Sequence, residues 1–349
     1  MATKTEPWLV LSLLLMVISF CMQHCVHGES QVPCVFIFGD SQSDDGNNNN
    51  LPTSAKCNYR PYGIDFPEGP TGRFTNGLTA IDFTTQFLGF QRFIPPFANT
   101  SGSDILKGVN YASGAAGILF ETGKHLGANI YLGAQLINHK VIYSKIVIKL
   151  GGSEKAKQYL NKCLYYMNIG SNDYINNYFL PQYYPTSRSY TPSQYVDILL
   201  RRYSQYIQQL RQLGARKYIM VGLGLLGCTP NSIATRMTNG SCVQEFNDAA
   251  SNFSNKLSSL VDQLNANFYA DSKFIFINST SQSLDSSLGF TVTNAPCCPS
   301  GQNGQCIPNV TPCQNRSTYV FWDSFHTTQD VNRLTGTGLY NAIKLYLLG

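Results

Sequence analysis

Five short runs rich in Val, Ile, Phe and Tyr, at 34–38, 108–112, 164–169, 217–223 and 273–278, are separated by longer stretches with helical spacing. A run of five to seven such residues reads as a buried strand. The clearest helical stretch covers 193–213, where Val196, Leu199, Leu200, Tyr203, Ile207 and Leu210 share one face before Gly214 ends the pattern. Weaker patterns cover 78–88, 135–150, 244–268 and 329–348. Strands alternating with helices predict an α/β fold: a parallel sheet with helices on both faces. No internal repeat interrupts this order, and no linker divides the 349 residues into two cores.

The N-terminus obeys a different rule. Residues 8–20 form an apolar run, preceded by Lys4 and followed by a polar stretch in which Val26 and Gly28 fit a small-residue cleavage pattern. This is the form of a secretory signal peptide, spanning 1–28, with a mature chain that starts near Glu29 and is soluble and extracellular. A transmembrane anchor would need about 20 apolar residues. The net charge of +5 comes from 25 basic and 20 acidic residues without a Lys/Arg block, which argues against a nucleic-acid partner.

An oxidising compartment favours disulfides. With Cys21 and Cys25 in the signal segment, nine of the 11 cysteines remain, so at least one stays unpaired within the chain. Cys34 or Cys163, each inside an apolar run, is the expected buried free thiol. Cys228 and Cys242 read as a short-range pair, and Cys297, Cys298, Cys306 and Cys313 as a loop stapled to the body. No mature histidine lies near that cluster before His326, so a zinc site is disfavoured and no metal or other cofactor is expected. Six N-x-Ser/Thr sequons, at Asn99, Asn239, Asn252, Asn278, Asn309 and Asn315, mark expected surface positions for glycans.

The first strand run ends in Gly39-Asp40-Ser41, placing a hydroxyl beyond the carboxyl edge of a parallel sheet, where such sheets bind ligands. Gly-Asp-Ser alone is also an ordinary turn. Two further runs, however, end in polar or small-residue turns: Ser113-Gly114-Ala115-Ala116-Gly117, and Asn168-Ile-Gly-Ser-Asn172-Asp173. Ser41, Gly114 and Asn172 would then meet at one crevice. Near the C-terminus, Asp323 and His326 stand three apart on a turn. A serine hydroxyl needs a base, and the base needs an orienting acceptor. Of the other mature histidines, His125 lies in a loop and His139 beside Lys140 on a helix, so both are expected in surface roles.

These four blocks, in this order and across 35–326, resemble the plant GDSL esterase/lipases of the SGNH hydrolase superfamily. The resemblance implies a flavodoxin-like three-layer α/β/α sandwich with a five-stranded parallel sheet, formed by one hydrolase domain over 29–349. It implies Ser41 as nucleophile, His326 as base and Asp323 as its orienting acid. It further implies an oxyanion hole from the N–H groups of Ser41 and Gly114 and the Asn172 amide. The sequence departs from the family at Gln42, where the family name has Leu, and at Ala115 and Ala116, where relatives often have more glycine.

The expected activity is cleavage of carboxylic esters, from lipids, acetylated polysaccharides or small acyl esters, through an acyl-serine intermediate. Two other readings keep the same fold: transfer of the acyl group to an alcohol, and a non-catalytic binding glycoprotein. Gly222-Leu-Gly224-Leu-Leu-Gly227 has dinucleotide-binding spacing, but Cys228-Thr-Pro follows where a helix must open. The G-x-S-x-G elbow of α/β-hydrolases is missing around Ser41.

Overall fold

The computed structural model describes Trp8 and residues 29–100, 105–268, 270–280 and 286–348. Apart from Trp8, the expected signal segment lies outside the described residues. Five strands form one sheet: β1 (Val35–Gly39), β2 (Gly108–Asn110), β3 (Leu164–Asn168), β4 (Lys217–Val221) and β5 (Lys273–Ile277). Their order is β2-β1-β3-β4-β5, every pair parallel, with Val35 opposite both Gly108 and Leu164. The chain moves outward from β1 to β2 and then crosses back to β3 on the other side. The carboxyl ends of β1, β2 and β3 thus meet at a topological switch point.

Alternation along the strands builds two cores. Phe36, Phe38, Tyr165, Met167, Tyr218 and Met220 face one side, and Val35, Ile37, Leu164, Tyr166, Ile219 and Val221 the other. The first face is covered by α2 (Leu132–Leu150), α3 (Ser153–Leu160), α4 (Pro192–Gln212) and α6 (Gln244–Asn267). The second packs against α1 (Ala80–Phe87) and α7 (Gln329–Leu348), through Ile81, Leu339 and Ile343. Helix starts follow local chemistry. Thr79 and Asp82 close a capping box on α1, and Thr191 and Gln194 do so on α4, with Pro192 at its first position. Thr229 caps α5 (Pro230–Arg236), so the Gly222–Gly227 stretch leads through a turn into a proline-started helix. No helix among the described residues is long and apolar enough to cross a membrane.

Three sequence expectations are corrected. Cys34 and Cys163 are not free thiols; they are bonded to each other. They precede neighbouring parallel strands in matching register, where the Leu164 N–H donates to the Cys34 carbonyl and the two Cα atoms stand 4.8 Å apart. An apolar run marks burial, and burial is as compatible with a disulfide as with a thiol. Among the described residues the free cysteine is Cys57, buried, with its Sγ on the Gly72 carbonyl at 2.8 Å. The second correction concerns the C-terminal cluster, whose sulfurs pair with one another as Cys297–Cys313 and Cys298–Cys306. That loop is tied to itself, and two parallel strands the sequence pattern hides, β6 (Val292–Pro296) and β7 (Tyr319–Phe321), flank it. Cys228 pairs with Cys242 as read.

His139 is the third correction. It faces the sheet instead of solvent, among Phe36, Phe38, Tyr111 and Tyr165, because α2 buries the stripe Leu132, Leu136, His139, Ile142 and Ile146. Burial holds its imidazole down at about 3, so it stays neutral. His125 is half-buried, stacked on Tyr183. Of the sequons, Asn99, Asn239, Asn278, Asn309 and Asn315 are exposed, whereas Asn252 is half-buried on α6.

Gly108 opens β2 at φ +124°, and a Cβ there would run into the Val35 carbonyl of β1. Gly108→Ala is expected to lower the unfolding free energy by about 2 kcal/mol or more, from strained φ and steric clash together. Urea unfolding checks this; a variant as stable as wild type would contradict the β1–β2 register.

Candidate active site

The turn after β1 is clamped before it reaches Ser41. Gly39 donates its N–H to Gln135 Oε1 at 3.0 Å, and its carbonyl accepts from Gln135 Nε2 at 2.8 Å. Asp40 shapes the next step: its Oδ1 accepts the Gln42 N–H at 3.0 Å, and its carbonyl accepts from Ser43 and Asp44. Ser41 is left half-buried at the sheet edge. Gln42 is exposed and takes a 3.3 Å hydrogen bond from Asn168 at the end of β3.

The other wall comes from the far end of the chain. His326 Nε2 lies 2.7 Å from Ser41 Oγ. On the opposite edge of the ring, Nδ1 lies 2.7 Å and 2.9 Å from the two oxygens of Asp323. With Asp323 as acceptor, the ring proton belongs on Nδ1 and Nε2 is free to accept the serine proton. Asp323 is fully buried, yet well supplied with donors. Its Oδ1 accepts from the backbone N–H groups of Phe325 and His326, both at 2.8 Å, and its Oδ2 accepts from the Tyr62 hydroxyl at 2.6 Å. The imidazole leans on Phe74, with ring centroids 4.9 Å apart. The Trp322 N–H closes the turn on the His326 carbonyl at 2.7 Å.

The structure therefore brings Ser41, His326 and Asp323 into one hydrogen-bonded row. Asn172 is buried; its Nδ2 donates to the Ala116 carbonyl at 3.0 Å, and its Oδ1 accepts from Asn176 at 2.6 Å. One amide hydrogen of Asn172 remains beyond that bond. Gly114 departs from expectation. Its N–H is committed to Asp44 Oδ2 at 2.9 Å, so in this conformation it offers nothing to a ligand. Steric fit still calls for glycine at this position, because a Cβ would approach Phe74 to 2.6 Å and Asn48 to 2.7 Å.

Several site-building residues escaped sequence reasoning. Asp44 accepts from Gly46, Asn47 and Gly114, and burial pushes its carboxyl up to about 6. Asn47 Nδ2 holds the carbonyls of Asn110 and Ala112, while Asn48 Nδ2 holds those of Ala55 and Gly114. Asn47 and Asn48 thus form a buried brace between the turns after β1 and β2. Asp173 joins the turns after β2 and β3 by accepting from the N–H groups of Ile118 and Leu119 and from Thr122 Oγ1. Asp40, whose carboxyl burial also raises to about 6, faces His326 electrostatically. A sequence shows these residues only as polar loop positions; that their polar atoms replace absent backbone pairing is a three-dimensional fact.

With this geometry established, similarity to known proteins identifies the class. The chain matches the GDSL-like Lipase/Acylhydrolase family over residues 35–338. It is 46% identical to GDSL esterase/lipase At1g29660 of Arabidopsis thaliana, over 98% of this chain and 95% of the relative. It is 48% identical to GDSL esterase/lipase At1g29670 of the same plant, over 90% and 88% respectively. The chain belongs to the GDSL-like lipase/acylhydrolase family, and its fold is that of the SGNH hydrolases.

Burial pushes the Asp173 carboxyl up to about 7, against the lowering effect of its three donors. A raised folded-state value means that the unfolded carboxyl ionises first, so this group lowers stability as pH rises from about 4 to about 7. Asp173→Asn removes that contribution and leaves those of Asp40 and Asp44 in place. The melting temperature of the variant relative to wild type is expected to climb between pH 5 and pH 7 and to level off above pH 8. A difference independent of pH in calorimetry would contradict the assignment.

Proposed function

We propose that the mature chain, 29–349, is a secreted serine hydrolase of one domain that cleaves carboxylic esters through an acyl-serine intermediate, after removal of 1–28. One observation carries this reading: the unbroken row from Ser41 Oγ through His326 to buried Asp323, at 2.7 Å on both sides of the imidazole. Family membership supports ester hydrolysis as the reaction class.

In the proposed cycle Ser41 Oγ attacks the ester carbonyl as His326 Nε2 takes the hydroxyl proton. The imidazolium that forms keeps its Nδ1–H on Asp323 and then gives the Nε2 proton to the departing alcohol. Water enters, loses a proton to Nε2 and attacks the acyl-serine; collapse returns the proton to Ser41 and releases the acid. The oxyanion is received by the Ser41 N–H and the spare Asn172 amide hydrogen; Gly114 joins them only when Asp44 releases its N–H. Exposed aromatic rings, Phe120 after β2 and Tyr183 after β3, suit an apolar acyl chain or a sugar ring.

A panel of p-nitrophenyl esters of increasing acyl length, together with acetylated glycans, tests the proposal. Ser41→Ala and His326→Ala are expected to lower turnover by about four to six orders of magnitude. Asn172→Ala should cost roughly 10² to 10³. Activity should decline toward acid pH as Nε2 becomes protonated and can no longer accept the serine proton. Ester hydrolysis surviving in Ser41→Ala would overturn the assignment.

A further inference from the structure

The acid of the row has a partner that no block of the family resemblance includes. Tyr62 is fully buried, 261 residues away in sequence from Asp323, and its hydroxyl donates to Asp323 Oδ2 at 2.6 Å. The direction of that bond is fixed by the atoms around it. The hydroxyl oxygen already receives the Cys306 N–H at 3.1 Å, and its single proton has the Asp323 carboxylate as acceptor. Burial and the neighbouring carboxylate hold the phenol well above its usual range, so it remains a donor throughout the working pH interval.

Asp323 Oδ2 is therefore shared. It accepts from Tyr62 on one side and from His326 Nδ1 at 2.7 Å on the other. A short hydrogen bond to a buried carboxylate draws charge toward the donor and weakens what the carboxylate offers its second partner. We propose that Tyr62 is a positioning residue of the hydrolase: through Oδ2 it fixes the plane of Asp323 and limits how strongly that carboxylate favours protonated His326. This inference rests on the triad reading given above.

Other groups act on the same pair. Asp40 faces His326 from the turn after β1, while Cys57 and Tyr59 face Asp323 from the segment that also carries Tyr62. Replacing Tyr62 with phenylalanine leaves all three side chains in the protein, but Tyr59 loses its contact with the Tyr62 hydroxyl, which is why Tyr59 is varied separately. Without the phenol proton, Oδ2 acts on the imidazolium undivided, so the protonated form of His326 persists to higher pH. The carboxylate also loses one of the contacts that hold its plane.

Tyr59 supplies the control. Its hydroxyl donates to the Cys306 carbonyl at 3.0 Å, so Tyr59→Phe removes a bond from the same disulfide-closed loop and a polar neighbour of Tyr62 while the Tyr62–Asp323 hydrogen bond stays in place. The experiment follows the His326 Cε1 proton by NMR across pH in the full mature chain, alongside kcat and KM for a p-nitrophenyl ester. In Tyr62→Phe the titration midpoint and the acid limb of kcat/KM are expected to rise by roughly 0.5 to 1 pH unit, with kcat down roughly tenfold and KM unchanged. Tyr59→Phe is expected to leave both the midpoint and the limb in place. A wild-type titration in Tyr62→Phe, or an equal shift in Tyr59→Phe, would overturn the proposal. If Tyr62→Phe does not fold, 3-fluorotyrosine at position 62 keeps the shape and makes a stronger donor, so the midpoint must fall; a constant or rising midpoint counts against the role. The NMR titration needs no substrate, so a protein inactive on every ester would sink the function while this inference is still decided by the imidazole.

Discussion

Strand β1 is hydrogen-bonded in parallel on both sides, and the site depends on that placement. Because β2 and β3 run the same way, three chain turns leave the sheet at one edge, carrying Ser41, Gly114 and Asn172. His326 arrives from the other end of the chain. Its bond to Ser41 spans 285 residues and carries the closure entropy of most of the fold, so it cannot hold by itself. It holds because the loop before α7 is pinned independently. Thr75 Oγ1 donates to the Thr327 carbonyl, the Gln329 N–H donates to Asn76 Oδ1, and Leu78 donates back to Gln329 Oε1. The segment leading into α1 is thus a mount for the histidine loop.

Within this frame, buried carboxylates do different work according to their donors. Asp323 is wrapped by two backbone N–H groups, a phenol and an imidazole, so both of its oxygens have partners despite complete burial. Asp82 is held ionised, below the usual carboxylate range, by the guanidinium of Arg73 at 2.8 Å. Asp40, Asp44 and Asp173 have hydrogen bonds but no such cationic contact, and burial raises all three. They brace turns, and their cost appears as pH-dependent stability. The crevice is therefore assembled largely from side-chain acceptors that replace missing sheet partners, an arrangement that fixes geometry at the expense of desolvation.

Much of this was legible in the chain because local rules were obeyed. The strand runs at 34–38 and 164–169 and the helix pattern at 193–213 coincide with β1, β3 and α4 to within one or two residues. The resemblance pointed to Ser41, Asp323 and His326, which the fold brings together. What stayed hidden was set by distance. Tyr62 stands in Cys-Asn-Tyr-Arg-Pro-Tyr, which has no periodicity, and its meaning lies in an atom 261 residues away. Cys34 and Cys163 share a register that only strand pairing reveals, and Lys140 beside His139 says nothing of its burial, because residues three and four apart share its helix face. The commitment of the Gly114 N–H to Asp44 likewise depends on two loops meeting.

The central claim is that Ser41 is the nucleophile because His326 and Asp323 meet it in space. The most direct test is intact-mass and peptide analysis of the folded mature chain after exposure to a fluorophosphonate. One adduct per chain, on the peptide holding Ser41 and abolished by prior denaturation, is the result this account requires. No adduct, or one that maps to another serine, would contradict it.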